Sequence, residues 1–375
     1  MAGIPAAISN ILLPSPRLSI IDFIQFPTPP NDLGRHLSAT PTLFSEAPSA
    51  ITDERNAIAL RRLPRPSADD IIECRKKLLE AGTKKCQSLD YPISDQTTLK
   101  VPIWAFDYWE ALEGICEEKT LWLAVEKKLK KEGAHEILDL LSTVPWNYSL
   151  PRFLGSHVVE LAKFGTDDWL GDVQMDQMVF VINNKLQSTD WVVLDWAHTF
   201  LMIRNYWFAH DTYLDTILEK PTILHTNGAK IEGNNPTHTK IGIYFSVNCG
   251  GDLPVSGTVG NHWVGVVVDI VEKKILYVDP KKYPPPSELI LILQWWLRHH
   301  VGGNFVVDTE GLACTWQNDS FSCGVWTLNA IAHHLCANKF QLIQNSQDVI
   351  KERRTQIKQI VNLMRTEVSY FALSN

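Results

Sequence analysis

A chain of 375 residues has room for two domains, or for one catalytic domain with extensions. Apolar residues at 45% and charged residues at 21% match globular proteins, which excludes wholesale disorder and fibrous repeats. The net charge of −7 gives general nucleic-acid binding no support. Thirteen Trp residues predict thick packing layers or a surface that grips an extended ligand, since each ring is large and its N–H needs a partner.

Residues 1–66 hold ten of the 21 prolines and few aromatics, and Pro lacks the N–H that regular ladders use. This stretch is expected to be an extended or disordered arm. Pro5, Pro14 and Pro16, with no basic n-region, make its start a poor signal peptide. Ser67 with Asp69 and Asp70 marks a helix start, and Ile71, Ile72, Leu78 and Leu79 then recur near helical spacing. Apolar periodicity resumes over 109–129 and 135–141 until Pro145 breaks it, so 67–150 reads as a helical extension with a boundary near Pro151.

From there the pattern is α+β. The spacing predicts a helix over 172–186 and a weaker one over 199–207. Residues 241–247 and 262–270 are β-branched runs, and 274–279 follows the second after a Val-Glu-Lys connection, which predicts a hairpin. Helices over 288–300, 324–335 and 348–368 and a strand over 304–308 complete the sequence. No uninterrupted apolar run reaches the roughly 18 residues of a membrane span. Seven cysteines without dense spacing argue for a reducing compartment, nucleus or cytoplasm, rather than a secreted disulfide scaffold.

Cys323 sits in a polar loop, Gln317-Asn318-Asp319-Ser320-Phe321-Ser322, that runs directly into an apolar helical segment. A sulfur at a helix N-terminus meets the positive end of the macrodipole and unpaired N–H groups, which favour the nucleophilic thiolate. Gly324 allows another backbone to approach closely. The base is His262, at the start of a strand, and Asp279 closes the next strand 17 residues later. Antiparallel hairpin strands bring those two ends together, so Asp279 can fix the imidazole tautomer and stabilise imidazolium. Gln317, six residues before the cysteine, offers an amide to the oxyanion of a tetrahedral intermediate, a role of about 3 to 4 kcal/mol per donor in proteases.

The order His, Asp, Gln, Cys, with His262-Trp263 opening a strand, Tyr277-Val278-Asp279 closing the next and Gln317-Asn318 before Cys323-Gly324-Val325, resembles the Ulp/SENP family of SUMO-specific cysteine proteases. Trp169-Leu170-Gly171-Asp172 ahead of a helix is similar to the family's Trp-Leu-x-Asp element, and Tyr244 to Asn248 to its strand ending in Asn. The resemblance covers about 150–370 and leaves 1–150 unmatched. It implies a papain-like α+β cysteine protease domain over 151–375, with a central mixed sheet flanked by helices. Such a domain cleaves after the C-terminal Gly-Gly of a ubiquitin-like modifier, here SUMO, in precursor maturation or release from lysine. The implied partners are SUMO or another ubiquitin-like protein and its conjugates, with no cofactor, metal, membrane or nucleic acid.

Carried over by position, the resemblance makes Cys323 the nucleophile, His262 base then acid, Asp279 its orienter and Gln317 the oxyanion donor. Trp169 and Trp263 match the two rings that roof a tunnel admitting only glycines, and Asp172 matches an acidic position that contacts the modifier. On this reading Trp263→Ala abolishes cleavage and leaves the fold intact, while Trp316 and Trp326 pack beneath the active-site loop and helix. Two positions depart from the family: Ser322 stands where Asp usually precedes the cysteine, and Ser320 where the loop usually has Gly.

Each residue alone has an ordinary explanation, since a single Cys at a helix start is more often structural and a strand-end His more often surface. Their joint order carries the protease reading. The rival readings are a protease for another ubiquitin-like protein, a same-clan acyltransferase, and a catalytically quiet module that binds a ubiquitin-like protein. The other six cysteines lack a C-x-x-C pair, which argues against structural zinc, and Lys127, Lys128, Lys130 and Lys131 read as a solvated helix face. Gly250-Gly251-Asp252 reads as a turn.

Overall fold

Pro5, Pro14 and Pro16 punctuate helices rather than prevent them. In the computed structural model, which describes residues 3–30, 44–46, 54–80, 86–94, 97–150, 156–188, 190–213, 239–248, 253 and 260–373, helix α1 (Ala6–Leu12) begins directly after Pro5. Helix α2 (Ile20–Gln25) is capped by Ser19, whose hydroxyl accepts from the Asp22 N–H at 3.0 Å and donates to the Asp22 carboxylate at 2.7 Å. Ile8, Leu12, Ile20, Phe23 and Ile24 are buried, and Phe23 stacks on Trp146 at 4.2 Å. This corrects the expectation of an arm without fold. Pro5, Pro14 and Pro16 lie outside both helices, where a missing N–H costs no helical hydrogen bond.

The chain divides into two compact units, Met1–Tyr148 with His157–Val159 and Ser149–Ser156 with Glu160–Asn375. In the first, α3 (Glu54–Arg62), α4 (Ala68–Glu80), α5 (Ala105–Lys131) and α6 (His135–Leu141) join α1 and α2. Ser67 caps α4 as its spacing predicts, accepting from the Asp70 N–H at 3.1 Å. An antiparallel sheet of β1 (Phe44–Ser45), β2 (Ser88–Ser94) and β3 (Thr97–Pro102) was not expected, because Pro92 and the charged residues of these strands hide the alternation. Lys127, Lys130 and Lys131 are exposed on α5, and Lys130 pairs with Glu126 at 2.9 Å. The boundary expected near Pro151 and the turn at Gly250 to Asp252 fall outside the described residues.

The second unit is α+β with a mixed five-stranded sheet, as expected. Its elements are α7 (Asp172–Leu186), β4 (Trp191–Val193), α8 (Trp196–Phe208), β5 (Lys240–Val247), β6 (His262–Asp269), β7 (Lys274–Val278), α9 (Ser287–His300), β8 (Val306–Asp308), α10 (Cys323–Leu335) and α11 (Ser346–Leu373). The sheet order is β8-β7-β6-β5-β4, antiparallel in the centre and parallel at both edges. The β6–β7 hairpin forms as the sequence predicts, and its register sets Asp269 opposite Lys274 and Gly265 opposite Val278. Every residue of β6 is buried, so helices cover both faces of this strand. Gly265 allows the closest of those approaches: a Cβ there would meet Ile331 Cδ1 and Thr327 Cγ2 of α10 at 2.8 Å each. Among the described residues no helix is long and apolar enough to cross a membrane.

Candidate active site

Thr327 donates its hydroxyl to the Trp263 carbonyl at 3.0 Å, one turn after Cys323 and one residue after His262. That bond and the glycine contact fix α10 against the start of β6, which sets the sulfur of Cys323 beside the imidazole. His262 Nε2 lies 2.8 Å from Asp279 Oδ1, and Cys323 is close enough to the imidazole to act on its charge. With Nε2 committed to the carboxylate, Nδ1 is the nitrogen left for the sulfur. Burial pulls the imidazole pKa down, but the hydrogen bonds and charges of Asp279 and Cys323 outweigh it and raise the value to about 9. His262, Asp279 and Cys323 are all buried. Asp279 also accepts from the Lys281 N–H at 2.6 Å, which orients its carboxylate.

Trp169 also reaches the sulfur, and its indole N–H donates to Cys323 Sγ at 3.3 Å. Its ring stacks on Trp263 with centroids 5.1 Å apart and 5° between planes. Trp263 is wholly buried and held by its Nε1–H, which donates to the Leu170 carbonyl at 2.7 Å, whereas Trp169 is half-buried. Tyr244 and Trp196 pack edge-on to Trp263 from the other side. Behind them Asp176 of α7 accepts from the Tyr244 hydroxyl and from the Trp196 N–H at 2.7 Å. Burial pushes the Asp176 carboxyl up to about 6 against those hydrogen bonds. Asp172 opens α7 two residues beyond Leu170, at the edge of the same aromatic group.

The loop before Cys323 is organised by Asp319, which the sequence reading did not single out. Its Oδ1 accepts from the N–H groups of Phe321 at 2.9 Å and Ser322 at 2.8 Å, and its Oδ2 from the Ser322 hydroxyl at 2.6 Å. Burial acts against the charge, but these bonds outweigh it and hold the Asp319 carboxyl below its usual range. A carboxylate four residues before the cysteine thus shapes the loop that carries Ser322. Gln317 is anchored through its backbone, whose N–H donates to the Pro280 carbonyl at 2.9 Å, next to Asp279. Its side-chain Nε2 donates to the Asp319 carbonyl at 2.9 Å and to Asp319 Oδ1 at 3.0 Å. An oxyanion role therefore requires one of those N–H groups to turn away from Asp319.

Three further expectations need correction. The group against Gly324 is side chain rather than backbone: an added Cβ would meet Met175 Sδ at 2.5 Å and Trp263 Cδ1 at 3.3 Å. Trp326 packs in the core, but Trp316 is 54% exposed with Lys282 over its ring, because it precedes the anchored Gln317 on the outer side of the loop. Trp263 is a core side chain as well as a site residue, so its removal is expected to cost stability as well as cleavage. Arg353, Thr327 and Asp176 also belong to this site, and the sequence carries no signal for them beyond their places in amphipathic elements. Among the described residues no group of three His, Cys, Asp or Glu comes together as a metal site.

No protein-family model matches the sequence, and a search of curated proteins finds no match. Among solved structures, the chain is similar to the SUMO protease Ulp1 with its catalytic cysteine oxidized to a sulfinic acid, at 16% identity and a TM-score of 0.44 over 61% of this chain and 93% of that one. It is also similar to the C-terminal Ulp1 protease domain in complex with Smt3, the yeast ortholog of SUMO, at 17% identity and 0.39 over 55% and 83%. A third is the Chaetomium thermophilum Ulp1-like SUMO protease catalytic domain, at 14% and 0.38 over 56% and 80%.

Proposed function

We propose that this protein is a thiol protease and isopeptidase that cleaves after the C-terminal Gly-Gly of a ubiquitin-like modifier, with SUMO as the modifier, in the nucleus or cytoplasm. The observation that carries the reading is the buried chain Asp279, His262, Cys323, in which one imidazole nitrogen holds a carboxylate and the other faces a sulfur at a helix N-terminus. In this chemistry His262 takes the Cys323 proton, the thiolate attacks the carbonyl of the terminal glycine, and imidazolium returns the proton to the leaving amine. Water activated by the neutral imidazole then hydrolyses the thioester to free the glycine carboxylate and the cysteine. Gln317 and the Cys323 N–H receive the oxyanion once the amide has turned from Asp319. Trp169 and Trp263 select the tail: a chain entering beside the sulfur runs against the half-buried Trp169 ring and the fixed Trp263 ring, and a flat aromatic clamp excludes residues with a Cβ. Asp172 faces the modifier at the rim.

The test is to incubate the protein with SUMO and with ubiquitin, each carrying a C-terminal electrophile, alongside Cys323→Ala. A SUMO adduct that requires Cys323 supports the reading. An adduct with ubiquitin alone moves the activity to another modifier, and no adduct with any ubiquitin-like probe overturns it.

A further inference from the structure

Arg353 of α11 is 2% exposed, yet among the described residues no carboxylate is hydrogen-bonded to it. Its guanidinium donates instead to three backbone carbonyls of one short segment: Nη2 to Lys163 at 2.5 Å and Asp168 at 2.8 Å, and Nε to Phe164 at 3.4 Å. Asp168 immediately precedes Trp169, whose indole N–H meets the Cys323 sulfur. The other face of the guanidinium lies 5.7 Å from the ring of Phe321, two residues before Cys323. One planar cation therefore joins the segment that carries the indole donor to the loop that carries the sulfur. Its remaining nitrogen, Nη1, is buried with no hydrogen-bond partner. Burial lowers the pKa to about 10 against the charges of Asp167, Asp168, Asp319 and Cys323, so the group stays cationic through neutral pH.

We propose that Arg353 is a positioning residue for Cys323: it holds Trp169 so that the indole N–H stays on the sulfur, and thereby favours the reactive thiolate. The proposal takes its purpose from the peptidase reading, but the geometry belongs to the cysteine whatever the substrate. A hydrogen bond to the charged form favours that form, and a planar fork that reaches three carbonyls cannot be replaced by the point charge of Lys. The charged and titratable groups facing the sulfur and the guanidinium are His262 and Asp279 from β6 and the end of β7, Asp319 from the nucleophile loop, and Asp167 and Asp168 from the Trp169 segment.

The experiment is a double-mutant cycle on the full chain with Arg353→Lys, Trp169→Phe and the two together, following iodoacetamide alkylation of Cys323 against pH by mass spectrometry. Each single variant is expected to move the half-maximal pH upward by about half a unit to one unit. The double variant is expected to move it no further than the larger single, because Arg353 acts through Trp169. A wild-type profile for Arg353→Lys, or a double shift equal to the sum of the singles, overturns the proposal. Should Arg353→Lys fail to fold by circular dichroism, Phe321→Leu takes its place in the cycle. It removes the ring that seats the guanidinium, and an unshifted profile there has the same consequence. Alkylation needs no modifier, so absent probe adducts with a normal cycle would remove the peptidase reading alone.

Discussion

Cys323 has an imidazole and an indole N–H as neighbours, and both have consequences that can be read at single residues. The raised pKa of His262, about 9 against 6.5, means the folded protein holds this proton more tightly than the unfolded chain. The resulting stabilisation is complete below pH 6.5 and is lost as pH rises through 9. The melting temperature of wild type minus that of His262→Gln is therefore expected to be largest at pH 6 and to shrink steadily by pH 9.5; a gap that does not change with pH contradicts the pairing with Asp279. Trp263→Ala tests the neighbouring position. A wholly buried indole that packs on Trp169, Trp196 and Tyr244 leaves a cavity, so the expected cost is about 3 to 5 kcal/mol in chemical denaturation, together with lost probe labelling. A loss below about 1 kcal/mol would show that the ring is not part of the core.

At the scale of elements, α7 supports the aromatic group through Asp176, which joins α7 to the start of α8 and to β5. Burial raises this carboxyl to about 6 from 3.8, so its contribution to stability is present below pH 3.8 and is lost as pH rises through 6. Asn keeps the acceptor oxygen without the charge. Asp176→Asn is expected to melt with wild type at pH 4 and above it at pH 8, and a variant less stable than wild type at pH 8 would show that the charged form is the one the fold uses. Much of this level was legible in the sequence. The hairpin of β6 and β7 follows from two β-branched runs and a short connection, and antiparallel pairing then dictates that His262 and Asp279 meet. The N-terminal helices are hard to read because dense prolines mask Ser19 with Asp22 and the 20, 23, 24 apolar spacing, which are helix signals in their own right. Arg353 could not be found this way. One more arginine on an amphipathic helix looks like solvent-facing charge, and only the folded chain shows that carbonyls 185 to 190 residues away receive it.

For the whole molecule, the tryptophans resolve the choice posed by their number. Trp109, Trp122 and Trp146 are buried in the first unit and Trp263, Trp295, Trp296 and Trp326 in the second, so most build packing layers, and only Trp169 with Trp263 lies at the sulfur. Each unit also has its own apolar cluster, one running from Ile8 to Leu112 and the other from Leu194 to Phe305. Among the described residues, His262 and Trp169 at the sulfur, and Asp279, Asp319 and Arg353 that hold them and the loop in place, all belong to the second unit. A unit with a complete core and a complete site has what independent folding needs. Residues 149–375 expressed alone are therefore expected to melt cooperatively and to alkylate Cys323 within about two-fold of the full chain. A fragment that melts without a transition would mean that the first unit supplies part of the second unit's stability. A folded fragment with a displaced alkylation profile would mean that residues 1–148 act on the cysteine itself, a role that none of the bonds around Cys323 calls for.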